Sequence, residues 1–155
     1  MVALLTHKEE DIHVLAAGVL GVSLTFCDED TFRRLVEEYI LNTAEIPNEP
    51  SVLHGRCMAL GQALKYNAER CAVYHRQIIN DVIIYIRDED TQVCRAGISV
   101  CKYILNAYSG MNEAHKVRDR LVISMNTSLY KSYQLPLSNT THFNSCLPYL
   151  TLPYL

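Results

Sequence analysis

No apolar run in this sequence reaches the roughly 18 residues needed to span a bilayer. The best candidate, Val14–Phe26, is too short and carries the small residues of a helix packed among neighbours. A secretory signal is absent at the start, and the six cysteines, at 27, 57, 71, 94, 101 and 146, contain no Cys-x-x-Cys. Both absences favour reduced thiols in a cytosolic protein over a disulfide framework. Without an export signal, Asn126-Thr-Ser and Asn139-Thr-Thr read as chance matches to the glycosylation sequon. A basic excess is missing too: the formal charge is −3 and the pI near 6.0, which argues against a strongly basic nucleic-acid-binding domain taken as a whole. Glycine and proline are scarce, at 6 and 5 of 155 residues, while 49% of residues are hydrophobic and 20% charged. That length and composition suit one domain with a buried core.

The most regular stretch present is Asp88–Tyr108. Asp88-Glu89-Asp90 supplies an N-cap and first-turn carboxylates suited to the positive end of a helix dipole. Val93, Ala96, Gly97, Val100, Cys101, Ile104, Leu105 and Tyr108 follow at helical spacing, an apolar stripe over about four turns. Gly97 reads as a close packing contact, because a helical glycine otherwise costs about 1 kcal/mol relative to alanine.

The same pattern echoes upstream. Seventy-nine positions earlier Glu9-Glu10-Asp11 stands for the acidic cluster, and Val14, Ala17, Gly18 and Val19 fall where Val93, Ala96, Gly97 and Ile98 do. Between them, Val52 aligns with Val14 and Val93 at spacings of 38 and 41, which puts Gly55 at the small position. A unit near 40 residues holding two helices is the sign of a HEAT or armadillo type repeat, in which no unit buries its stripe alone. The expected fold class is all-α, a helical repeat solenoid fragment of about three helix pairs.

In order, residues 1–7 look like a severed helix end, as if something preceded them. A first helix over 10–27, apolar on nearly every side, is expected to lie between neighbours. Asp28-Glu29-Asp30-Thr31 caps a second with the stripe Phe32, Leu35, Val36, Tyr39 and Ile40, and with Arg33–Glu37 and Arg34–Glu38 pairs on its wet face. A loop over Glu45–Pro50 precedes a third helix, about Ser51–Tyr66, and a fourth, about Ala72–Ile86, burying Ile78, Ile79, Val82, Ile83 and Ile86. The fifth spans about 90–108 and ends at Ser109-Gly110, and the sixth about Asn112–Tyr130. The helical region is thus expected over 1–131. Residues 132–155 hold three prolines and no Asp, Glu, Lys or Arg, and read as a Pro-containing irregular tail that lies on apolar surface. Both end helices are expected to expose apolar stripes and to promote self-association.

Ala16-Ala17-Gly18-Val19-Leu20-Gly21, then Asp28-Glu29-Asp30 with Leu35-Val36, then His54-Gly55-Arg56-Cys57-Met58-Ala59-Leu60, resemble the late HEAT repeats of the general-control nonderepressible translational activator. The Asp81-Val82-Ile83 and Ala96-Gly97-Ile98 helices fall at matching distances, and the resemblance covers about two-thirds of the chain. It implies a non-catalytic, cytoplasmic interaction scaffold in translational control. Its implied partners are neighbouring HEAT repeats, the ribosome, and the protein kinase that phosphorylates the alpha subunit of initiation factor two when amino acids run short. It implies no cofactor and supplies no catalytic residue. The segment that receives the kinase's RWD domain lies in the C-terminal part of the family's solenoid. The tail after Ser132 departs from the family pattern, which continues in further helices.

Among individual residues, Arg56 lies near the inward-facing stripe, with His54 as its companion. Arg56 either bonds a carbonyl end or a carboxylate of the adjacent repeat, or is presented to a partner. Lys116, Arg118 and Arg120 on the sixth helix, with Lys131, have few acids near them and are candidate contacts to ribosomal RNA phosphates; Lys65, Arg70 and Arg76 form a second basic group. Cys71 with His75, and Cys146 with His142, have neither the four ligands of a zinc site nor the orienting residue of a catalytic pair. The alternatives carried are a generic HEAT adaptor in transport or phosphatase assembly and a small thiol-dependent helical enzyme.

Overall fold

The computed structural model describes residues 4–5, 7, 9–41, 49–110 and 114–133, and among these the secondary structure is entirely helical. Its elements are α1 (Glu10–Phe26), α2 (Glu29–Leu35) continued by a π-helical segment (Val36–Leu41), α3 (Pro50–Cys71), a short 3-10 turn (Ala72–Tyr74), α4 (His75–Ile86), α5 (Thr91–Tyr108) and α6 (Ala114–Tyr133). The all-α expectation holds. The expected loop at 45–50 lies mostly, and the tail beyond Tyr133 wholly, outside the described residues.

The helices form two rows, as stacked helix pairs require. In the first, α1 packs on α3 and α3 on α5; in the second, the π-helical segment meets α4, and α4 meets α6. The core runs between the rows and is filled by Leu20, Leu24, Phe32, Ile40, Leu60, Leu64, Ile78, Val82, Tyr85, Val93, Ile104 and Tyr108. Each aliphatic side chain buried there contributes about 1.5–3 kcal/mol through removal of apolar surface from water.

Local chemistry sets the boundaries. Asp28 accepts from the Thr31 amide and starts α2; Asp90 accepts from the Gln92 and Val93 amides and starts α5. Both bonds satisfy donors that a helix N-terminus otherwise leaves unpaired. Along α2 the expected stripe changes where the helix widens. In the π-helical segment Val36, Ile40 and Leu41 are buried while Tyr39 turns outward, because a wider turn brings two consecutive residues to the core. Arg33 pairs with Asp30 at 2.8 Å rather than with Glu37, whose carboxylate accepts from the Tyr74 hydroxyl at 3.0 Å.

Helix α3 extends five residues past the end that its periodicity indicated. The place where the pattern fades is a bend: Asn67 has non-helical φ −136 and ψ 38, and its side-chain amide donates to the Gly21 carbonyl of α1 at 3.0 Å. A side chain engaged across the interface explains a kink without proline. Glycine marks close approaches in the same stack. A Cβ at Gly97 would lie 2.9 Å from the Ile86 amide nitrogen, and one at Gly55 would collide with the Leu5 carbonyl. Gly97 therefore packs as its place in the stripe predicts, against α4.

The first helix differs from its expectation. His13, Ala16, Ala17, Leu20, Gly21 and Leu24 are buried, whereas Leu15 is 70% and Phe26 83% exposed, with Val14, Val19 and Val22 also open to solvent. Helix α1 has a neighbour in the first row on one side, α3, so only one face is covered. At the other end, Ile123 is the exposed large hydrophobic on the described part of α6. No described helix is long and apolar enough to cross a membrane.

Candidate partner-binding surfaces

The residues singled out in the sequence separate into an interior pair and an exterior group. His54 on α3 is buried and meets His13 of α1, with ring centroids 5.3 Å apart and the two Nδ1 atoms at 3.0 Å. The Nε2 of His13 meets the His7 carbonyl, which can only accept, so that nitrogen carries the proton. One of the two facing Nδ1 atoms donates to the other across the α1–α3 seam. A histidine one repeat away is thus among the contacts of His54.

Arg56 points toward the second row. Burial lowers its guanidinium pKa from the ordinary value, with Tyr85 and Asp81 of α4 working in the opposite direction. Asp81 and Tyr85 are themselves buried. This arrangement suits a register-fixing role between α3 and α4.

A stronger tie between repeats is Arg70, which the sequence placed in a basic surface group. Its guanidinium donates to Glu29 Oε2 at 2.8 and 3.1 Å, to the Leu24 carbonyl at 2.7 Å and to the Asp28 carbonyl at 3.3 Å. It also stacks over the Phe32 ring at 3.9 Å. Arg70 therefore satisfies the carbonyl end of α1 and fixes the start of α2. Asn67 and Arg70 are one turn apart, as are their acceptors Gly21 and Leu24, so two bonds knit the same seam. Gln77 donating to the Leu41 carbonyl at 3.0 Å and Tyr108 to the Cys71 carbonyl at 3.4 Å make comparable long-range contacts. The available signal was a polar residue near a helix end about one repeat after another helix end.

The exterior group lies on the second row. Lys116 and Arg120 are exposed, and Arg118 is half-buried beside Asp119 at 3.4 Å. Arg120 donates to Asn80 Oδ1 of α4 at 3.0 Å, and Arg87 at the end of α4 donates to Ser124 of α6 at 3.3 Å. These bonds place Lys116 and Arg120 on one continuous surface with exposed Arg76, one turn from Asn80, and with exposed Ile84 and Ile123. Lys65 instead lies against the Tyr66 ring on α3, so the second basic group expected from sequence is not a cluster.

The thiol pair does not have a catalytic arrangement. Cys71 is buried and its thiol pKa is pushed up to about 12 by burial, while His75 Nδ1 meets the Ala72 carbonyl at 3.1 Å and its ring lies edge-on to Tyr108. A raised thiol pKa suppresses the thiolate that nucleophilic chemistry requires. Burial likewise raises Cys57 and Cys94, and the five described cysteines carry free thiols. Cys146 and His142 lie outside the described residues.

Comparison with known proteins gives one family. The family described as stalled ribosome sensor GCN1-like, HEAT repeats, matches residues 1–148. No curated protein and no solved structure matches the chain.

Proposed function

Because the chain belongs to the stalled ribosome sensor GCN1-like family of HEAT repeats, we propose that it serves as a non-catalytic scaffold segment in ribosome-linked translational control. The observation that carries this reading is the family match over residues 1–148, supported by a stack of helix pairs whose α4 and α6 expose Arg76, Lys116 and Arg120. A stacked solenoid supplies shape and spaced side chains without chemistry. On this reading Lys116, Arg118 and Arg120, joined by Arg76, meet phosphates of ribosomal RNA, a sequence-blind contact. Histidine 54 and Arg56 act within the stack. The protein works in the cytoplasm, and the scaffold also takes part in recruiting the kinase that responds to amino-acid shortage.

Co-sedimentation of the chain with purified ribosomes, from about 50 mM salt upward, tests this. The expected result is binding that weakens steeply with salt and is lost in a variant carrying Lys116→Glu, Arg118→Glu and Arg120→Glu. Salt-independent binding, or binding that the variant retains, would remove the phosphate contact from α6. Pull-down of the kinase's RWD domain tests the kinase part separately. Capture of transport or phosphatase subunits in preference to both would favour a general HEAT adaptor.

A further inference from the structure

Polar bonds tie α1 to α3 at two places, and the two ties differ in chemistry. Toward the carboxy-terminal end of α1, the Asn67 amide donates to the Gly21 carbonyl and the Arg70 guanidinium to the Leu24 carbonyl. Neither donor changes its protonation near neutral pH, since a carboxamide does not titrate there and a guanidinium stays charged. About 12 Å back along the axis from Gly21, His13 faces His54 of α3 with the two Nδ1 atoms 3.0 Å apart. Both residues are buried, at 2% and 5% exposure. Imidazole is the side chain whose proton comes and goes between about pH 5 and 8.

A hydrogen bond between two ring nitrogens exists only while one of them is bare. Whichever Nδ1 donates, a proton taken up by the other sets two N–H groups tip to tip at 3.0 Å. It also places a charge where water does not reach. The loss of the bond does not depend on what the Nε2 atom of His54 meets. On His13 the Nε2 atom is engaged by the His7 carbonyl, so turning that ring over costs a second bond.

The titratable groups on the elements around the pair lie as follows. His7, half-buried, accepts from the Glu9 amide through its own Nδ1 at 3.1 Å, and it too loses a bond at this end when protonated. Glu9 and Asp11 on the α1 side are exposed, as is Glu49 at the start of α3, while Arg56 on α3 is turned toward Asp81 and Tyr85 of α4. The π-helical segment brings Glu37 and Glu38, both exposed, and α5 brings Cys94 and Cys101, which are buried free thiols. Exposed carboxylates are screened by water and offset little of a buried charge.

We propose that the His13–His54 pair is a proton-operated latch at the amino-terminal end of the α1–α3 seam: mild acid releases the first two turns of α1 from α3, while Asn67 and Arg70 hold the last turns in place. The latch does not rest on the ribosome contact, and its test contains no ribosome.

Hydrogen exchange of the 155-residue chain tests it, read by NMR on single amides at about pH 7.5 and 5.5 and corrected for the intrinsic rate at each. Below the unfolded histidine value of about 6.5, each proton taken up on opening favours the open form about tenfold per pH unit. The amides of Val14–Ala17 are therefore expected to lose protection about tenfold between the two conditions, whereas those of Leu20–Leu24 and of Val93–Ile104 keep theirs. The doubly substituted chain, His13→Leu with His54→Leu, is expected to protect Val14–Ala17 equally at both. It retains His7, so a loss of protection that persisted in it would overturn the proposal. Equal loss along α1 and α5 in the parent, or no loss, would do the same. Histidine nitrogen-15 spectra of the parent give a reading that needs no variant. The two Nδ1 signals are expected to pass from one bare and one protonated nitrogen to two protonated ones as the α1 amides open, and a pair still bonded in the acidic sample overturns the latch.

Discussion

Helices α1 and α5 stand at opposite ends of one row and share the same local pattern, yet their free faces are opposites. On α5 the exposed positions with four-three-four spacing are Arg95, Ser99, Lys102 and Asn106, all polar. On α1 the corresponding seam is Leu15, Val19, Val22 and Phe26, all apolar. Their buried faces are alike, with Ala17, Leu20 and Leu24 on one and Val93, Val100 and Ile104 on the other. Packing within the row dictates the buried face. Packing within the row leaves the chemistry of the free face open, and the two helices fill it differently.

The largest expected effects fall on what the two helices share. Leu20→Ala on α1 and Ile104→Ala on α5 remove fully buried side chains and should each cost about 2–5 kcal/mol in urea unfolding. If Leu20→Ala were nearly silent, α1 would not be an equal member of the stack. Glycine substitution should then separate the two ends. Gly97→Ala drives a methyl toward the α4 backbone and is expected to destabilise by about 1–3 kcal/mol. Gly18→Ala meets open space and should stabilise the isolated chain by up to about 1 kcal/mol. Equal thermal shifts of one sign would erase the distinction between them.

Smaller effects come from the helix starts. Asp90→Ala removes the acceptor for two α5 amides and should cost about 1 kcal/mol. Glu9→Ala, at a cap that makes no side-chain bond, should change stability by less than about 0.5 kcal/mol. The cap at Asp28 adds a dependence on pH. Its carboxyl is held below the ordinary value by the Thr31 amide first and the Thr31 hydroxyl next. A depressed carboxyl contributes stability above its unfolded pKa and loses it as the pH falls through the lower folded value. Asp28→Ala should therefore melt below the parent at neutral pH, with the gap closing at pH values under 3.8. A gap that stayed constant into acid would mean that the carboxylate's charge plays no part in the cap.

Much of the fold was legible because helical spacing and capping are local. The Val93–Tyr108 stripe, the caps at Asp28 and Asp90, and the close approach at Gly97 all follow from residues within a few turns of one another. Even the fading of the α3 pattern near Tyr66 located a real feature, the bend at Asn67. The ties between repeats were less legible. Arg70 reads as a surface cation until the α1 carboxy-terminus is placed beside it, and His13 gains meaning only opposite His54. Long polar side chains reach residues 41 to 46 positions away, a distance at which spacing alone does not specify a partner.

The sequence by itself determined that the chain forms stacked helix pairs, because apolar stripes at helical period recur near every 40 residues and each needs a neighbour. The same regularity carried the family resemblance that the match over residues 1–148 bears out. The tertiary structure alone decided which apolar residues are covered and which are left to solvent. Leu15 and Leu20 share one helix and one hydropathy, yet Leu15 is 70% exposed and Leu20 fully buried. Their difference lies in the direction each points around the helix axis relative to α3, and that direction exists only once the rows are assembled.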